Sequence, residues 1–324
     1  MNWKSEGKIM KKILIATTAL VATSSIAAAE LATSGSARFG VVYDEGNDQE
    51  TRLEQRIRIN FTGIAETDAG VKFEARIRLE ANEGFTDDED DTTTVNGSSG
   101  KGPGGVGFAV STGGLRVDVG SVSDVLDSGD HFSWGGTGIG FTGFLEQNSN
   151  NEGFIANGFA GADDEDANTV KVLYTAGDFA VSASYTEEND QIDGGAVDAA
   201  GDNYQIGASY NLGAHKIGAT YGSADDNDQW VIGAGGSFGD FGYSAIIGDN
   251  DAQDDLLFGA SGTYAISAAT TLVAVVSTGG DADNDTSYGL GVNHSLGGGV
   301  TLGAGVGSNN AGNTVADLGV SFSF

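Results

Sequence analysis

The chain has 324 residues, of which 53 are glycine, one is proline and none is cysteine, and its formal net charge is −31 at pH 7. This acidity argues against nucleic acid as a partner, because phosphate binding requires clustered Lys and Arg. After about residue 30 no linker, Pro-rich stretch or change of pattern interrupts the sequence, which predicts one mature domain.

The first 29 residues have the parts of an export signal. A basic start is followed by an apolar stretch at 13–26, which is too short to span a bilayer as a helix, and by three alanines at 27–29. We therefore predict a signal peptide over residues 1–29, with Met10 as an alternative start, and a mature domain over residues 30–324. No later segment is long and apolar enough for a membrane helix, so the mature chain is expected to be secreted or to cross the outer membrane as a sheet.

The first predicted strands alternate between apolar and polar residues, with Gln55 as an exception in the first of them. In the stretches 52–61 and 71–80, Leu, Ile, Val, Phe and Ala alternate with Arg, Glu, Lys and Asn, and the short turn 65–70 separates the two stretches. Alternation with period 2 indicates strands that have one face in an apolar medium. The pair is therefore expected to form a hairpin with one apolar and one highly charged face. A soluble sandwich would alternate too, but its polar face would meet bulk water.

The same pattern continues to the last residue and predicts about sixteen strands. They are placed near 31–43, 51–64, 71–81, 105–112, 115–121, 169–175, 178–187, 203–211, 215–223, 229–237, 241–248, 255–264, 269–277, 285–294, 299–307 and 314–324.

The connections between these strands alternate between a short set and a longer, mostly acidic set. This arrangement is typical of an all-β, transmembrane, up-and-down antiparallel β-barrel, whose short turns face the periplasm and whose long loops face outside. A jelly roll or a secreted solenoid has no reason to sort its connections in this way.

All seven Arg residues lie between positions 38 and 116, each in the polar phase of its strand. They are Arg38, Arg52, Arg56, Arg58, Arg76, Arg78 and Arg116. Adjacent strands would place them in a column on one interior wall. Since Arg stays ionised, these side chains must be solvated or paired, and Glu54, Glu74 and Glu80 share their phase.

The connection at 122–168 is far longer than the other outer connections, and unstructured loops of this length are usually functional. It contains four candidate acids: Asp124, Asp127, Asp130 and Glu146. If the connection folds into the lumen, these carboxylates would face the Arg wall across a narrow gap, and the resulting field would help to decide what passes. If it lies outside as a solvated acidic flap, the Arg residues pair only with carboxylates of the wall. The residues alone leave both readings open.

Two other function classes also remain open. Asp281, Asp283 and Asp285 alternate as oxygen ligands do in calcium loops, although the full EF-hand spacing is missing and a solvated acidic loop fits better. They favour, as an alternative, a calcium-binding structural or adhesion barrel without an open pore. An outer-membrane enzyme would need a Ser–His pair, for which His215 or His294 could serve, but we find no catalytic set and expect no enzyme activity.

Three stretches carry a family resemblance that extends over essentially the whole mature chain: GSARFGVVYDE at 35–45, RIRINFTGIAETDAGVKFEARIRL at 56–79 and NTVADLGVSFSF at 313–324. They resemble the trimeric general diffusion porins of alphaproteobacteria, the Rhodobacter-like type. The resemblance implies a sixteen-stranded barrel in the outer membrane of a Gram-negative bacterium, assembled as a homotrimer. The implied function is passive diffusion of ions and small hydrophilic solutes.

The resemblance also implies roles for individual residues. The third outer loop would fold into the lumen, with its acids facing wall residues Arg38, Arg56, Arg58, Arg76, Arg78 and Arg116. Phe322 and terminal Phe324 look like the signal that the barrel-assembly machinery reads. Since members of the family bind calcium, structural calcium and contacts with outer-membrane lipid and lipopolysaccharide are also expected, but no cofactor.

Overall fold

The computed structural model describes residues 30–83, 98–99, 104–132, 138, 168–187, 202–224 and 227–324. The predicted signal peptide lies outside this range. No helix among the described residues is long and apolar enough to cross a membrane. The strands are β1 (Glu30–Asp44), β2 (Thr51–Glu66), β3 (Lys72–Glu83), β4 (Ser98–Ser99), β5 (Gly107–Thr112), β6 (Leu115–Gly120), β7 (Asn168–Ala176), β8 (Phe179–Glu187), β9 (Asn203–Leu212), β10 (His215–Ala224), β11 (Asn227–Phe238), β12 (Phe241–Asn250), β13 (Asp255–Ala265), β14 (Thr270–Gly280), β15 (Ser287–Gly297), β16 (Val300–Ser308) and β17 (Thr314–Ser323).

The strands form one closed antiparallel barrel. Each strand pairs with its neighbour in the chain, and β17 pairs with β1 to close the sheet. The two-residue β4 and the six-residue β5 pair with successive parts of β3, so they share one place in the sheet. The barrel therefore has sixteen strand positions, which confirms the predicted fold class and strand number.

The observed strand bounds lie close to the predicted ones, with one notable difference on the side of the long connections. Strands β10 and β11 extend until Ala224 pairs with Asn227, which leaves only residues 225–226 between them. An Asp- and Asn-rich stretch had indicated a loop there. The ladder continues because its hydrogen bonds join backbone groups, whose pairing does not depend on an apolar side chain.

Alternate residues of each strand lie on opposite faces of the barrel. On β9, for example, Tyr204 and Ile206 are exposed, whereas Gln205 between them is only 3% exposed. Because the sheet is closed, the buried polar phase faces the lumen and the exposed apolar phase faces outward. A closed barrel that pairs every strand can be surrounded by lipid without leaving an unpaired sheet edge.

Two-residue turns join several strand pairs at one end of the barrel. In the turns between β7 and β8 and between β11 and β12, the first residues are Gly177 and Gly239, each with a φ of 60°. Tight hairpin turns require such positive φ values, which glycine adopts without strain.

The first part of the connection after β6 lies inside the barrel. Leu126 and Phe132 form a buried apolar cluster with Val231, Ile246 and Leu257, which belong to the lumen-facing phases of β11, β12 and β13. Residues 121–132 therefore run along the inner wall. This cluster holds the described start of the connection within the lumen.

Candidate pore constriction

The seven Arg side chains lie on the lumen-facing phases of β1, β2, β3 and β6. Arg38 on β1 is the register partner of Arg56 on β2. Arg58 lies opposite Glu80, and Arg78 lies opposite Asn60. The strand pattern of the sequence thus brings the predicted residues together on one side of the lumen.

Ion pairs neutralise only part of this wall. Arg58 Nη2 donates to Glu80 Oε1 at 3.1 Å, and Glu80 is buried. Arg116 contacts Glu74 at 2.7 Å and Asp118 at 2.8 Å. Between the strand ends, the wall carries seven Arg but only the carboxylates of Glu54, Glu74, Glu80 and Asp118. It therefore has an excess of positive charge.

Arg56 contributes most directly to that excess. Among the described residues, no carboxylate lies within ion-pair distance of Arg56. Its neighbour Arg78 donates from Nε to the neutral Asn60 Oδ1 at 3.0 Å, so that bond removes no charge. An anion approaching this wall would meet guanidinium groups that retain their charge at any physiological pH.

The opposite side of the lumen holds residues 121–132. Val125 N donates to Ser184 Oγ on β8 at 3.2 Å, and Leu126 N donates to Gln205 Oε1 on β9 at 2.8 Å. Gln205 Nε2 in turn donates to Asp124 Oδ2 at 2.8 Å. Polar side chains of the inner wall thereby satisfy the backbone groups of the connection, which would otherwise be buried without partners.

Residues 130–132 are held by two cations and a set of small residues. Lys171 Nζ on β7 lies 2.7 Å from Asp130 Oδ2, and Lys216 Nζ on β10 donates to the Asp130 carbonyl. His131 Nε2 lies 2.5 Å from Ser182 Oγ. With Ser209 on β9, which lies 3.1 Å from His131 Nδ1, four adjacent strands from β7 to β10 bind this short stretch.

The position of residue 138 shows where the connection goes next. A Cβ added to Gly138 would overlap the Asp317 carboxylate on β17, and a Cβ on Gly303 of β16 would lie 2.7 Å from the Gly138 carbonyl oxygen. Phe132 packs against β11, on a different part of the wall. Two described points of the connection, Phe132 and Gly138, therefore lie against different parts of the inner wall, one at β11 and the other at β16 and β17.

Two of the predicted loop acids occupy positions that differ from our expectation. Asp124 is fully buried, with Oδ2 bound by Gln205 and Oδ1 accepting from Asp127 N at 2.9 Å. Asp130 pairs with Lys171. Both carboxylates fasten the connection to the β7–β10 side instead of facing the Arg wall. Asp127 is exposed, and Glu146 lies outside the described residues.

Sequence reasoning missed the residues that receive the connection: Lys171, Ser182, Ser184, Gln205, Ser209 and Lys216. Lys171 and Lys216 carried a usable signal, because each is the only cation of its strand and lies in the lumen-facing phase. The serines and the glutamine gave none, because the lumen-facing phases of the later strands are rich in small polar residues throughout.

A sequence model of the family described as "Gram-negative porin" matches residues 16–314. The chain belongs to the Gram-negative porin family. The porin is 29% identical to the porin of Fuscovulum blasticum over 303 residues, and 28% identical to that of Rhodobacter capsulatus over 331 residues. Each match covers 91% of this chain and all of the relative.

Solved structures agree with this membership. A triple mutant of Rhodopseudomonas blastica porin matches with a TM-score of 0.75 and 28% identity, covering 91% of this chain and all of that chain. A double tryptophan mutant of Rh. blastica porin matches with a TM-score of 0.75 and 27% identity over the same shares. The porin therefore resides in the outer membrane of a Gram-negative bacterium, and its relatives are named as porins, not as enzymes.

The geometry gives no support to a closed metal site in this porin. Among the described residues, no group of three His, Asp or Glu side chains converges to hold a metal ion. Asp281, Asp283 and Asp285 are each exposed on the connection between β14 and β15. The alternation that suggested a calcium loop therefore spreads these carboxylates over the surface.

The C-terminus of the porin closes the barrel. Gly35 N donates to the Phe324 carbonyl at 2.7 Å, and Phe324 N donates to the Gly35 carbonyl at 3.0 Å. The rings of Phe322 and Phe324 lie 6.1 Å apart, and Phe324 is exposed. Both rings are thus displayed beside the seam between β17 and β1.

Proposed function

We propose that this porin is a water-filled channel through which ions and small hydrophilic solutes diffuse passively across the outer membrane. The observation that carries the proposal is the separation of the two barrel faces. The lumen-facing phase holds Arg, Lys, Ser, Thr, Gln and Gly, whereas the outward phase is apolar. An interior without such polar groups would be a poor path for water and hydrated solutes.

We further propose that Arg38, Arg56, Arg58, Arg76, Arg78 and Arg116 line the narrowest part of this channel. The support is their shared wall, its excess of positive charge and the connection that occupies the opposite side of the lumen. A surplus of fixed positive charge attracts anions and raises their local concentration. We therefore expect the constriction to favour anions, although the exposed acids of the outer connections enrich cations at the mouth.

The porin is proposed to act as a homotrimer, in which strands β16, β17, β1, β2, β3, β5 and β6 face the other copies. Tyr and Trp concentrate where a membrane protein meets the lipid headgroups. Eight of the nine Tyr residues and Trp230 lie on β7 to β15, whereas the other seven strand positions carry only Tyr43. Their outer face is nevertheless apolar, with Phe39, Leu53 and Phe108 exposed.

Further contacts are proposed for the exposed ends of the barrel. Phe322 and Phe324 would serve as the signal for the barrel-assembly machinery. The exposed carboxylates of Asp281, Asp283 and Asp285 would share calcium ions with lipopolysaccharide phosphates, since such shared ions need fewer protein ligands than a closed site. Loss of thermal stability on chelation in lipopolysaccharide-containing membranes, restored by calcium, would support the second contact.

Planar-bilayer recording tests the channel function directly. Purified folded protein should give discrete conductance steps, and liposomes that contain it should swell in small sugars more slowly as sugar size increases. Heat-denatured protein from the same preparation is the control. Correctly folded trimers that produce neither steps nor swelling would refute the proposal and favour a closed structural barrel.

A further inference from the structure

His131 is fully buried between the connection and the inner wall, unlike the other two histidines. It is 1% exposed, whereas His215 is half-buried and His294 is exposed. Its Nε2 lies 2.5 Å from Ser182 Oγ on β8, and its Nδ1 lies 3.1 Å from Ser209 Oγ on β9. In the neutral ring one nitrogen donates and the other accepts, so the two hydroxyls satisfy both.

The wall around this histidine is made of glycines. Gly218 on β10 and Gly233 on β11 are register partners. A Cβ on Gly218 would lie 2.5 Å from the His131 carbonyl oxygen, and a Cβ on Gly233 would lie 2.6 Å from Phe132 Cγ. Any larger residue at these two places would therefore displace residues 131–132, and the wall fits the connection only in its present position.

The charges near His131 are unfavourable for a proton on the ring. Lys171 on β7 and Lys216 on β10 both approach Asp130, whose carboxylate pairs with Lys171. The other groups that contact His131 are uncharged: Ser182 on β8, Ser209 and Gly207 on β9, and Gly218 on β10. Strand β11 contacts the neighbouring Phe132. The Asp124 carboxylate on the connection accepts from Gln205. A protonated His131 would thus add a third positive charge to a buried site that holds one paired carboxylate.

Burial, opposed by Asp130 and reinforced by Lys216 and Lys171, lowers the pKa of His131 to about 4. His131 lies on the connection and not on a membrane-spanning strand. Once released into water, the same ring would return to an ordinary pKa of about 6.5. Between those two pKa values the released state therefore binds more protons than the buried state, so falling pH favours release. At pH 5 the ratio of released to bound connection is about 30 times larger than at a pH where the ring is neutral in both states.

We propose that His131 is a positioning residue for the inward-folded connection, and that its protonation releases residues 121–132 from the wall and narrows the channel. The inference rests on the channel function proposed above. The released stretch stays tethered to β6 at Gly120, so it can only move into the open lumen. Conductance should therefore fall as the pH is lowered.

The first test compares single-channel conductance at pH 7 and pH 5 for three proteins. They are the wild type, His131→Gln, and a control that combines His215→Gln with His294→Gln. The wild type and the control should lose conductance and show more closures at pH 5, whereas His131→Gln should respond little, because a glutamine amide cannot be protonated in this range. A wild-type conductance that is unchanged or rises at pH 5, or a response retained in His131→Gln, would overturn the proposal.

A second variant keeps the histidine and immobilises the connection. The chain has no cysteine, and Val125 N lies 3.2 Å from Ser184 Oγ, so Val125→Cys with Ser184→Cys should allow a disulfide between connection and wall. The oxidised protein should lose the pH response and the reduced protein should regain it. A response that persists in the oxidised protein would contradict release as the mechanism. Absence of any wild-type conductance at pH 7 would instead refute the channel function itself.

Discussion

Arg38 on β1 and Arg56 on β2 are register partners, and both side chains point into the lumen. Like charges directly opposite each other destabilise an antiparallel pair. One step further along, Arg58 faces Glu80 and forms a two-point ion pair. Of these three guanidinium groups only that of Arg58 forms this ion pair, while Arg38 and Arg56 remain opposite each other, and such a local conflict is expected where function requires the charge.

Neutralising the Arg wall should change ion selectivity. A charge about 7 Å from an ion in water alters its energy by about 0.6 kcal/mol, or roughly threefold in its population. The combination of Arg56→Gln, Arg58→Gln and Arg76→Gln should therefore lower the anion population about 20-fold and shift the permeability ratio toward cations by at least that factor, measured as the reversal potential in a salt gradient.

A charge-balanced control separates this field from changes in width. Arg116→Gln combined with Asp118→Asn removes one positive and one negative group that contact each other. It should leave the reversal potential nearly unchanged. An unchanged potential in the triple variant would show that these Arg residues do not line the narrowest point.

Removing the Glu80 carboxylate should cost stability and raise anion preference together. Glu80 is 6% exposed and pairs with Arg58. Glu80→Gln would leave that guanidinium without its charged partner, at a cost of about 1–3 kcal/mol. Urea unfolding in lipid vesicles measures the loss. Glu54→Gln, on the same wall but paired with Arg52, is the comparison, and equal losses from both would contradict a special role for the buried carboxylate.

The glycine wall offers a steric test of the inward-folded connection. Gly218→Ala would place a methyl group 2.5 Å from the His131 carbonyl oxygen, whereas Gly235→Ala on the neighbouring strand would come no closer than 3.3 Å to the Tyr243 carbonyl oxygen. The first should destabilise the seated connection by about 1–3 kcal/mol. It should also increase current noise, which the second should not. Equal traces from the two variants would argue that the connection is not seated against β10.

The proposed trimer face can be tested with lipid quenching. In a background of Trp134→Phe and Trp230→Phe, a single tryptophan is introduced by Phe108→Trp on β5 or by Tyr210→Trp on β9; both native rings are exposed on the outer face. Brominated lipid should quench the β9 variant strongly and the β5 variant weakly. Dissociating the trimers should remove the difference. Equal quenching in intact trimers would place β5 in contact with lipid.

Period-2 alternation was sufficient to predict the barrel because most strands combine an apolar outer face with a more polar inner face. The alternation also placed each Arg on the lumen side, because alternate residues of a strand point to opposite faces of the sheet. The contacts that hold residues 121–132 against the inner wall could not be predicted in this way. Asp124 and Asp130 look like any solvated acids in the sequence, and their partners Gln205 and Lys171 come from strands 81 and 41 residues further along the chain. Those contacts depend on how several neighbouring strands are aligned with one another. This alignment is known only once the whole sheet has been assembled.

Phe132 rests against β11 and Gly138 against β16 and β17, so the connection occupies part of the cross-section of the barrel at these two points. A solute at that level does not meet a round opening whose diameter follows from sixteen strands. It meets the part of the lumen that these residues leave open, and a cavity of about 510 Å³ lies beside Gly129 and Phe132 and is also lined by Lys216, Ser244 and Thr263. Under the proposed channel function, the largest solute that passes would therefore depend on how much of the lumen the connection occupies, as well as on the number of strands. A change in the described stretch 121–132 would then alter what passes while leaving the barrel itself unchanged.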